Sequence, residues 1–261
     1  MDVATDVASD VVAALRTAGC VFAEEEAALL VAEAKTPAEL DAMLGRRVEG
    51  EPLEYILGWA EFCGLRITVV AGVFVPRQRS AFLVDLAADF IGTGPAVVLD
   101  LCCGSGAVGA AVAARVPGVE LHAADIDAVA VDCARRNTAA FAGRCYVGDL
   151  WAALPPELRG RVGVLVVNAP YVPTGEVDLM PREAREYEAR AALDGGADGL
   201  DLHRRIAGEA RSWLAPGGRL FIETSARQAA VAAGILAVSG LTTFVEHRAD
   251  DDATVVIAGR D

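Results

Sequence analysis

From Ala96 onward the chain repeats one unit, a short continuous apolar run followed by a helix-length segment. Ala96–Leu101, Val119–Ile126, Arg144–Val147, Val162–Val167 and Arg219–Thr224 read as strands. Helical stretches at Ala107–Arg115, Ala128–Phe141, Leu202–Leu214 and Ala226–Ser239 alternate with them. Strands that are apolar on both sides must be covered on both sides, so the alternation implies a parallel sheet between two helix layers. Thr242–His247 and Ala253–Ala258 are close enough to pair as a hairpin, which makes one edge antiparallel. There is no internal repeat.

Ahead of this unit the pattern differs. Val11, Val12 and Leu15, then Ala27, Leu29, Leu30 and Val31, recur at helical spacing. Glu24–Glu26 opens the second of these segments, and Thr36-Pro37 reads as the start of a third, over Ala38–Leu44. The polar stretch Gly45–Gly50 is expected to close this appendage. Phe62–Val75 alternates and is rich in β-branched residues, as a short bridging hairpin would be. The expected organisation is a helical N-terminal domain over 1–60, a β-hairpin linker over 61–75 and a main domain over 76–261.

Hydrophobic residues make up 54% of the chain, enough for a well-buried core, and the formal net charge is −14. That balance disfavours tight non-specific binding to nucleic acid, whose affinity comes largely from neutralised phosphates. No apolar run is long enough to span a bilayer, and the first ten residues carry acids where a secretory leader would be basic. A soluble cytoplasmic monomer is expected, without nucleic-acid or membrane partners. The six cysteines form no C-x-x-C pair and the three histidines are scattered, so no metal site is expected. Free thiols in a reducing compartment are the simpler reading.

In a sheet of this kind ligands bind beyond the carboxyl ends of the strands. The first loop holds Gly104-Ser105-Gly106-Ala107-Val108-Gly109, a formal G-x-G-x-x-G, and Asp125 ends the next strand where a ribose-binding acid belongs. These two features suit a nicotinamide dehydrogenase equally well. Asp100, immediately before the loop, separates the readings. A dinucleotide brings a pyrophosphate to this helix N-terminus, and a carboxylate aimed at that anion costs energy in a partly buried site. S-adenosyl-L-methionine has no phosphate but carries an α-ammonium and a sulfonium, both cationic, and suits Asp100. The plainer alternative is that Asp100 caps the turn. Asp149, at the end of the third strand, can accept from an adenine amino group while Leu150 and Trp151 cover the ring.

After the fourth strand comes Asn168-Ala169-Pro170-Tyr171. This turn resembles the N-P-P-Y of methyltransferases acting on planar nitrogens, including adenine and glutamine amides. The wider match resembles the protein-(glutamine-N5) methyltransferases that modify peptide chain release factors. It runs through Gly50–Gly58, Val75-Pro76-Arg77, Asp100–Gly109, Asn168–Tyr171, Glu188–Gly196 and Leu214–Gly218. The resemblance implies a class I, Rossmann-like methyltransferase fold with a mostly parallel seven-stranded sheet, an antiparallel edge strand and a small helical N-terminal domain that selects a protein substrate. It implies S-adenosyl-L-methionine as methyl donor, S-adenosyl-L-homocysteine as product, and the Gly-Gly-Gln segment of release factors as acceptor.

The chemistry accounts for the residue types. An amide nitrogen is a poor nucleophile because its lone pair is delocalised into the carbonyl. The Asn168 side-chain oxygen and the residue 169 carbonyl can each accept one N–H of the acceptor, which turns its face to the methyl group. Pro170 stiffens the turn and Tyr171 can stack on the planar group. Positioning can then account for several kcal/mol of the barrier. On this reading Asp100, Cys102, Cys103, Gly104, Ser105, Gly106, Asp125, Asp149, Leu150, Trp151 and Asn168 hold the donor, and Pro76, Arg77 and Glu188 border a substrate channel.

The chain departs from the family pattern at three places. Ala169 replaces the first proline of N-P-P-Y, and Cys102 replaces the first loop glycine, so the backbone there must tolerate a Cβ. P-R-x-D-T-E reads Pro76-Arg77-Gln78-Arg79-Ser80-Ala81, without its acids. Residues 172–201 form a polar stretch of about thirty residues, long enough to be expected as a functional lid over the acceptor pocket. N6-adenine methylation and a non-catalytic binding module remain the alternatives.

Overall fold

Thr36 and Pro37 start a helix as the sequence predicts. The Thr36 hydroxyl accepts the Glu39 N–H at 3.2 Å, and Pro37 sits in the first turn, where no N–H is needed. In the computed structural model, which describes residues 3–92, 94 and 96–261, this helix is α3 (Pro37–Val48), preceded by α1 (Val3–Thr17) and α2 (Ala23–Glu33). Met1, Asp2, Thr93 and Pro95, which fall in the expected 1–60 and 76–261 units, lie outside the described residues. The appendage does not close at Gly45–Gly50: α3 runs on to Val48 and α4 (Leu53–Leu57) follows. Val11, Leu15, Leu30, Leu40, Met43 and Ile56 form a core of their own.

The hairpin lies earlier than the alternation suggests. Its strands are β1 (Trp59–Phe62) and β2 (Leu65–Thr68), joined by Cys63-Gly64. Both loop residues have positive φ (52° and 78°), the twist that a two-residue hairpin requires. Val69–Val75 is not strand; it crosses toward the lid, where Gly72 bridges Glu188. Asn137 ties the hairpin down, accepting the Thr68 N–H at 2.8 Å and donating to the carbonyls of Thr68 and Ser105 at 2.9 and 2.8 Å.

Then follow α5 (Ala81–Ile91), β3 (Val97–Leu101), α6 (Ala107–Arg115), β4 (Glu120–Asp125), α7 (Ala128–Thr138), β5 (Arg144–Val147) and β6 (Val162–Val167). The chain ends with α8 (Arg182–Tyr187), α9 (Asp201–Trp213), β7 (Leu214–Thr224), α10 (Ala229–Val238), β8 (Thr242–Arg248) and β9 (Ala253–Gly259). Helix α5 is the main element that the sequence pattern does not announce. It buries Leu83, Val84 and Ala87 but is apolar on much of its remaining surface, which blurs the helical stripe.

The large sheet has seven strands in the order β5-β4-β3-β6-β7-β9-β8, and β9 alone runs opposite to the other six. One face is covered by a cluster containing Leu165, Leu220, Ile206, Trp213 and Leu236, the other by one containing Val98, Val166, Leu83, Val112 and Phe62. This is the mostly parallel Rossmann-like sheet with an antiparallel edge expected from the sequence. The chain leaves β3 toward β4 and returns on the other side as β6, so the strand order reverses between β3 and β6. A crevice opens at the carboxyl ends of such a pair.

The 172–201 segment is not an open loop. It contains short 3₁₀ turns at Thr174–Leu179 and Arg190–Ala192 around α8. Val177, Ala184 and Leu193 bury themselves against Phe74, Val172 and Met180, a small core that periodicity in so short a stretch cannot reveal. Arg47, 8% exposed, joins this segment to the N-terminal helices: it pairs with Glu26 of α2 at 2.6 Å and Glu183 of α8 at 2.7 Å. Among the described residues no helix is long and apolar enough to cross a membrane, and no cluster of His, Cys, Asp or Glu could hold a metal ion.

Candidate active site

One cavity of about 640 Å³ occupies the crevice at the ends of β3 and β6. Its wall includes Asp100, Cys102–Ser105, Asp125, Asp149 and Leu150 at one end, and Pro76, Arg77, Arg79, Ser80 and Asn168–Tyr171 at the other. Residues that lie far apart in the sequence, on separate strand ends and in the turn before α5, therefore share a single space.

At the first end the carboxylates are held by backbone. Asp100 is 2% exposed, and its Oδ2 accepts the Gly109 N–H of α6 at 2.8 Å. It is both a cap and a wall residue, so the two sequence readings of Asp100 are compatible. Burial pushes its carboxyl up to about 7, against the Gly109 hydrogen bond and reinforced by nearby Asp125. A Cβ at Gly109 would lie 3.0 Å from that Oδ2, which explains the third glycine of the loop motif. A side chain at Gly106 would meet Ala134 of α7 at 2.9 Å. Here the protein's own acid takes an N–H of the helix N-terminus that a pyrophosphate would need.

Asp125 accepts the Gly104 N–H at 2.8 Å and the Asp127 N–H at 3.0 Å, which joins the end of β4 to the glycine loop. Burial raises its carboxyl above the ordinary range despite these bonds. Cys102 stands at φ 60°, the left-handed conformation that the glycine of the family pattern would adopt freely. Burial pushes its thiol and that of Cys103 well up, which favours the protonated form of both. Asp149 is half-exposed and pairs with Arg205 at 2.7 Å.

Trp151 is a correction. Leu150 takes φ 48° and faces the cavity, and the turn sends Trp151 into the core, stacked on Trp213 at 5.5 Å. Its ring does not line the cavity, so it does not cover a bound nucleobase.

The other end is built from side chains brought together over long distances in sequence. The Asn168 amide donates its Nδ2–H to the Ser80 hydroxyl at 3.1 Å, which leaves its Oδ1 to accept from a ligand. Ser80 stands where the family pattern has threonine, so that position keeps its hydroxyl. The Tyr171 hydroxyl donates to Glu223 Oε1 at 3.0 Å, and Gln228 donates to the Tyr171 carbonyl at 2.9 Å. Burial and the neighbouring Glu223 push the phenol well above its ordinary range, so it is a donor and not a base. The Gly195–Gly199 stretch of the lid packs on this turn so closely that a Cβ at Gly195 would lie 2.7 Å from the Pro170 carbonyl.

Glu188 is the second correction. It does not line the cavity: it is buried behind Arg77, accepting that guanidinium with both oxygens at 2.7 Å and the Val75 N–H at 3.2 Å. Its carboxyl is raised by burial and drawn back by Arg77. It orients Arg77, which does face the cavity together with Pro76.

Ser80 and Arg79 on the cavity wall, and Glu223 and Gln228 behind Tyr171, are residues of this end that sequence reasoning missed. Only Ser80 had a local signal, the shared hydroxyl in the family pattern. Buried His203, whose Nε2 lies 3.4 Å from the Glu223 carbonyl, is lowered by burial to about 4 and is neutral at pH 7.

Residues 71–196 match the family model for the methyltransferase small domain. A release factor glutamine methyltransferase of Geobacter sulfurreducens is 36% identical over 231 residues, covering 86% of this chain and 79% of that protein. One from Bifidobacterium longum is 32% identical over 259 residues, covering 86% of this chain and 88% of that protein. Among solved structures, a T. thermophilus 16S rRNA methyltransferase in complex with AdoMet and guanosine superposes with a TM-score of 0.56. It is 21% identical, over 78% of this chain and 50% of the other, and establishes likeness of fold.

Proposed function

The chain belongs to the release factor glutamine methyltransferase family, and from that premise we propose that it methylates the side-chain amide nitrogen of a glutamine, in the Gly-Gly-Gln segment of a peptide chain release factor. The observation that carries this is the Asn168–Ser80 hydrogen bond at the end of a cavity whose other end is carboxylate-lined. With Nδ2 turned to the Ser80 hydroxyl, the Asn168 Oδ1 is available as the partner that an acceptor N–H needs.

The residues fit S-adenosyl-L-methionine. Asp100 presents a buried carboxylate suited to the α-ammonium, and Asp125 and Asp149 stand at the successive strand ends where the ribose hydroxyls and the adenine amino group would lie. When bound, the donor supplies an electrophilic methyl carbon on a sulfonium and leaves as S-adenosyl-L-homocysteine. The protein's part is positioning. Asn168 Oδ1 and the Ala169 carbonyl each accept one N–H of the acceptor amide, which turns the face of its nitrogen to the donor. The Tyr171 ring, fixed at its hydroxyl by Glu223 and at its carbonyl by Gln228, supports the acceptor plane. Ala169 keeps the carbonyl its position requires, and its own side chain is buried in the core. No strong base is required, because the nitrogen can lose its proton after attack. The helical domain over 1–60 and the 172–201 lid select and cover the protein segment.

Calorimetric titration with S-adenosyl-L-methionine, then radiolabelled methyl transfer to purified release factors, tests the reading with Asn168→Ala as control. Donor binding and transfer to the Gly-Gly-Gln glutamine, with transfer lost in the variant, are expected. Failure to bind the donor overturns it.

A further inference from the structure

Glu223, at the end of β7, is 2% exposed, and its Oε1 accepts both the Tyr171 hydroxyl at 3.0 Å and the Arg79 Nε–H at 3.4 Å. Its Oε2 is buried with no hydrogen-bond partner among the described residues. A buried carboxylate so thinly served depends on a nearby cation, and Arg79 is the cation in contact. Yet Arg79 is not spent on that contact. Its side chain is 45% exposed, it lines the cavity, and its guanidinium lies 5.9 Å from the Tyr171 ring. Glu223 takes only the Nε–H, so the outer N–H donors of the fork are free to meet a ligand.

A primary amide brings three hydrogen-bonding needs into the site: two N–H groups and one carbonyl oxygen. The Asn168 and Ala169 oxygens serve the N–H groups and can do nothing for the carbonyl. Of the side-chain donors at this end of the cavity, the Tyr171 hydroxyl is given to Glu223, and Arg77 gives one arm of its fork, Nη2, to both oxygens of Glu188, whereas Arg79 is paired only through its Nε and keeps both arms. Arg79 retains unspent donors. A substrate carbonyl buried without one would carry the full cost of its desolvation.

We propose that Arg79 is a substrate-binding residue of this enzyme, anchored by Glu223 and donating its outer N–H groups to a carbonyl oxygen of the acceptor glutamine segment. The proposal rests on the reading of the site as a glutamine-amide methyltransferase. It also gives a role to this chain's departure from the family pattern: where P-R-x-D-T-E has an acid, this sequence carries the cation that neutralises Glu223 and reaches the acceptor.

Steady-state methyl transfer to a release factor, with calorimetric S-adenosyl-L-methionine binding and thermal melts, separates the possibilities across wild type, Arg79→Gln, Arg79→Lys and the Arg79→Gln/Glu223→Gln double variant. Arg79→Gln is expected to raise the KM for the protein substrate at least about tenfold while donor affinity stays unchanged. Arg79→Lys should recover part of that loss. The double variant removes both charges together, so it should restore the melting temperature without restoring KM. A double variant with wild-type KM means that Arg79 only balances Glu223, and overturns the proposal. So does a folded Arg79→Gln enzyme with unchanged KM. If wild type itself transfers no methyl group to the release factor, the release-factor reading falls first and the proposal falls with it.

Discussion

The two ends of the cavity solve the same problem, holding polar groups in place, by different means. At the Asp100 end the acids of β3 and β4 are satisfied by backbone N–H groups from the loop and helix that follow them: Gly109 for Asp100, Gly104 and Asp127 for Asp125. Such partners are close in the chain, and the acids shape the loop they bind. At the Asn168 end the partners are side chains from β7 and from the turn before α5, namely Ser80, Arg79 and Glu223. The first end is held by local backbone geometry, the second by the meeting of distant elements. Substitutions should therefore act on donor binding at one end and on turnover or acceptor binding at the other.

Asn168→Ala should break the acceptor end most severely. Turnover is expected to fall by at least about a hundredfold, since positioning supplies several kcal/mol in such reactions, with the S-adenosyl-L-methionine Kd within about threefold of wild type. A comparable loss of donor affinity in calorimetry would erase the division between the ends. Asp100→Asn is the converse. It should weaken donor binding by about tenfold to a hundredfold, the range for a hydrogen bond to a charged group, and leave the Asn168 turn intact.

The acidity of Asp100 sharpens this further. Because burial raises its carboxyl to about 7, the folded state favours the protonated form. Its contribution to stability is best below about pH 4, where both folded and unfolded forms are protonated. It is lost progressively as pH rises to about 7. Donor-free wild type should therefore melt lower at pH 8 than Asp100→Asn does, a difference that shrinks toward pH 5. The carboxylate must ionise to meet an ammonium, so donor affinity should rise with pH through about 7 with proton release, measurable by calorimetry in buffers of different ionisation enthalpy. A flat profile would remove Asp100 from the ammonium site.

Smaller effects are expected from two conservative changes. Ser80→Ala removes the acceptor of the Asn168 amide and should lower turnover about two- to tenfold, the worth of an ordinary hydrogen bond. Ser80→Thr, which restores the family residue, should stay near wild type. Trp151→Phe should leave donor affinity unchanged, because the ring packs on Trp213 and its Nε1 already lacks a hydrogen-bond partner. A marked loss of donor affinity in that variant would return Trp151 to the cavity wall.

The same contrast explains what could be read in the sequence. Helix α6 was predicted over its observed span, Ala107–Arg115, and Asp100, Asp125 and Asn168 were placed at strand ends, because apolar runs and glycine turns are local signals. The order β5-β4-β3-β6-β7-β9-β8 is not among those local signals, because right-handed crossovers restrict the possible orders without selecting one. Trp151 was misplaced because the positive φ of Leu150, which turns the chain away, leaves no mark in a Leu-Trp pair. Glu188 was placed in the channel because its position matched the family pattern, but which side of Arg77 it occupies depends on packing between the lid and Gly72. Arg79 and Glu223 are separated by most of the catalytic domain, and only folding makes them neighbours.

Arg47 carries a mechanical consequence. One guanidinium is shared by the N-terminal bundle and the lid, bonded on one side to Glu26 and on the other to Glu183. A lid that swings outward to admit a protein loop must either break a part-buried ion pair or carry the bundle with it. Two regions separated by well over a hundred residues are thus fastened together by one side chain.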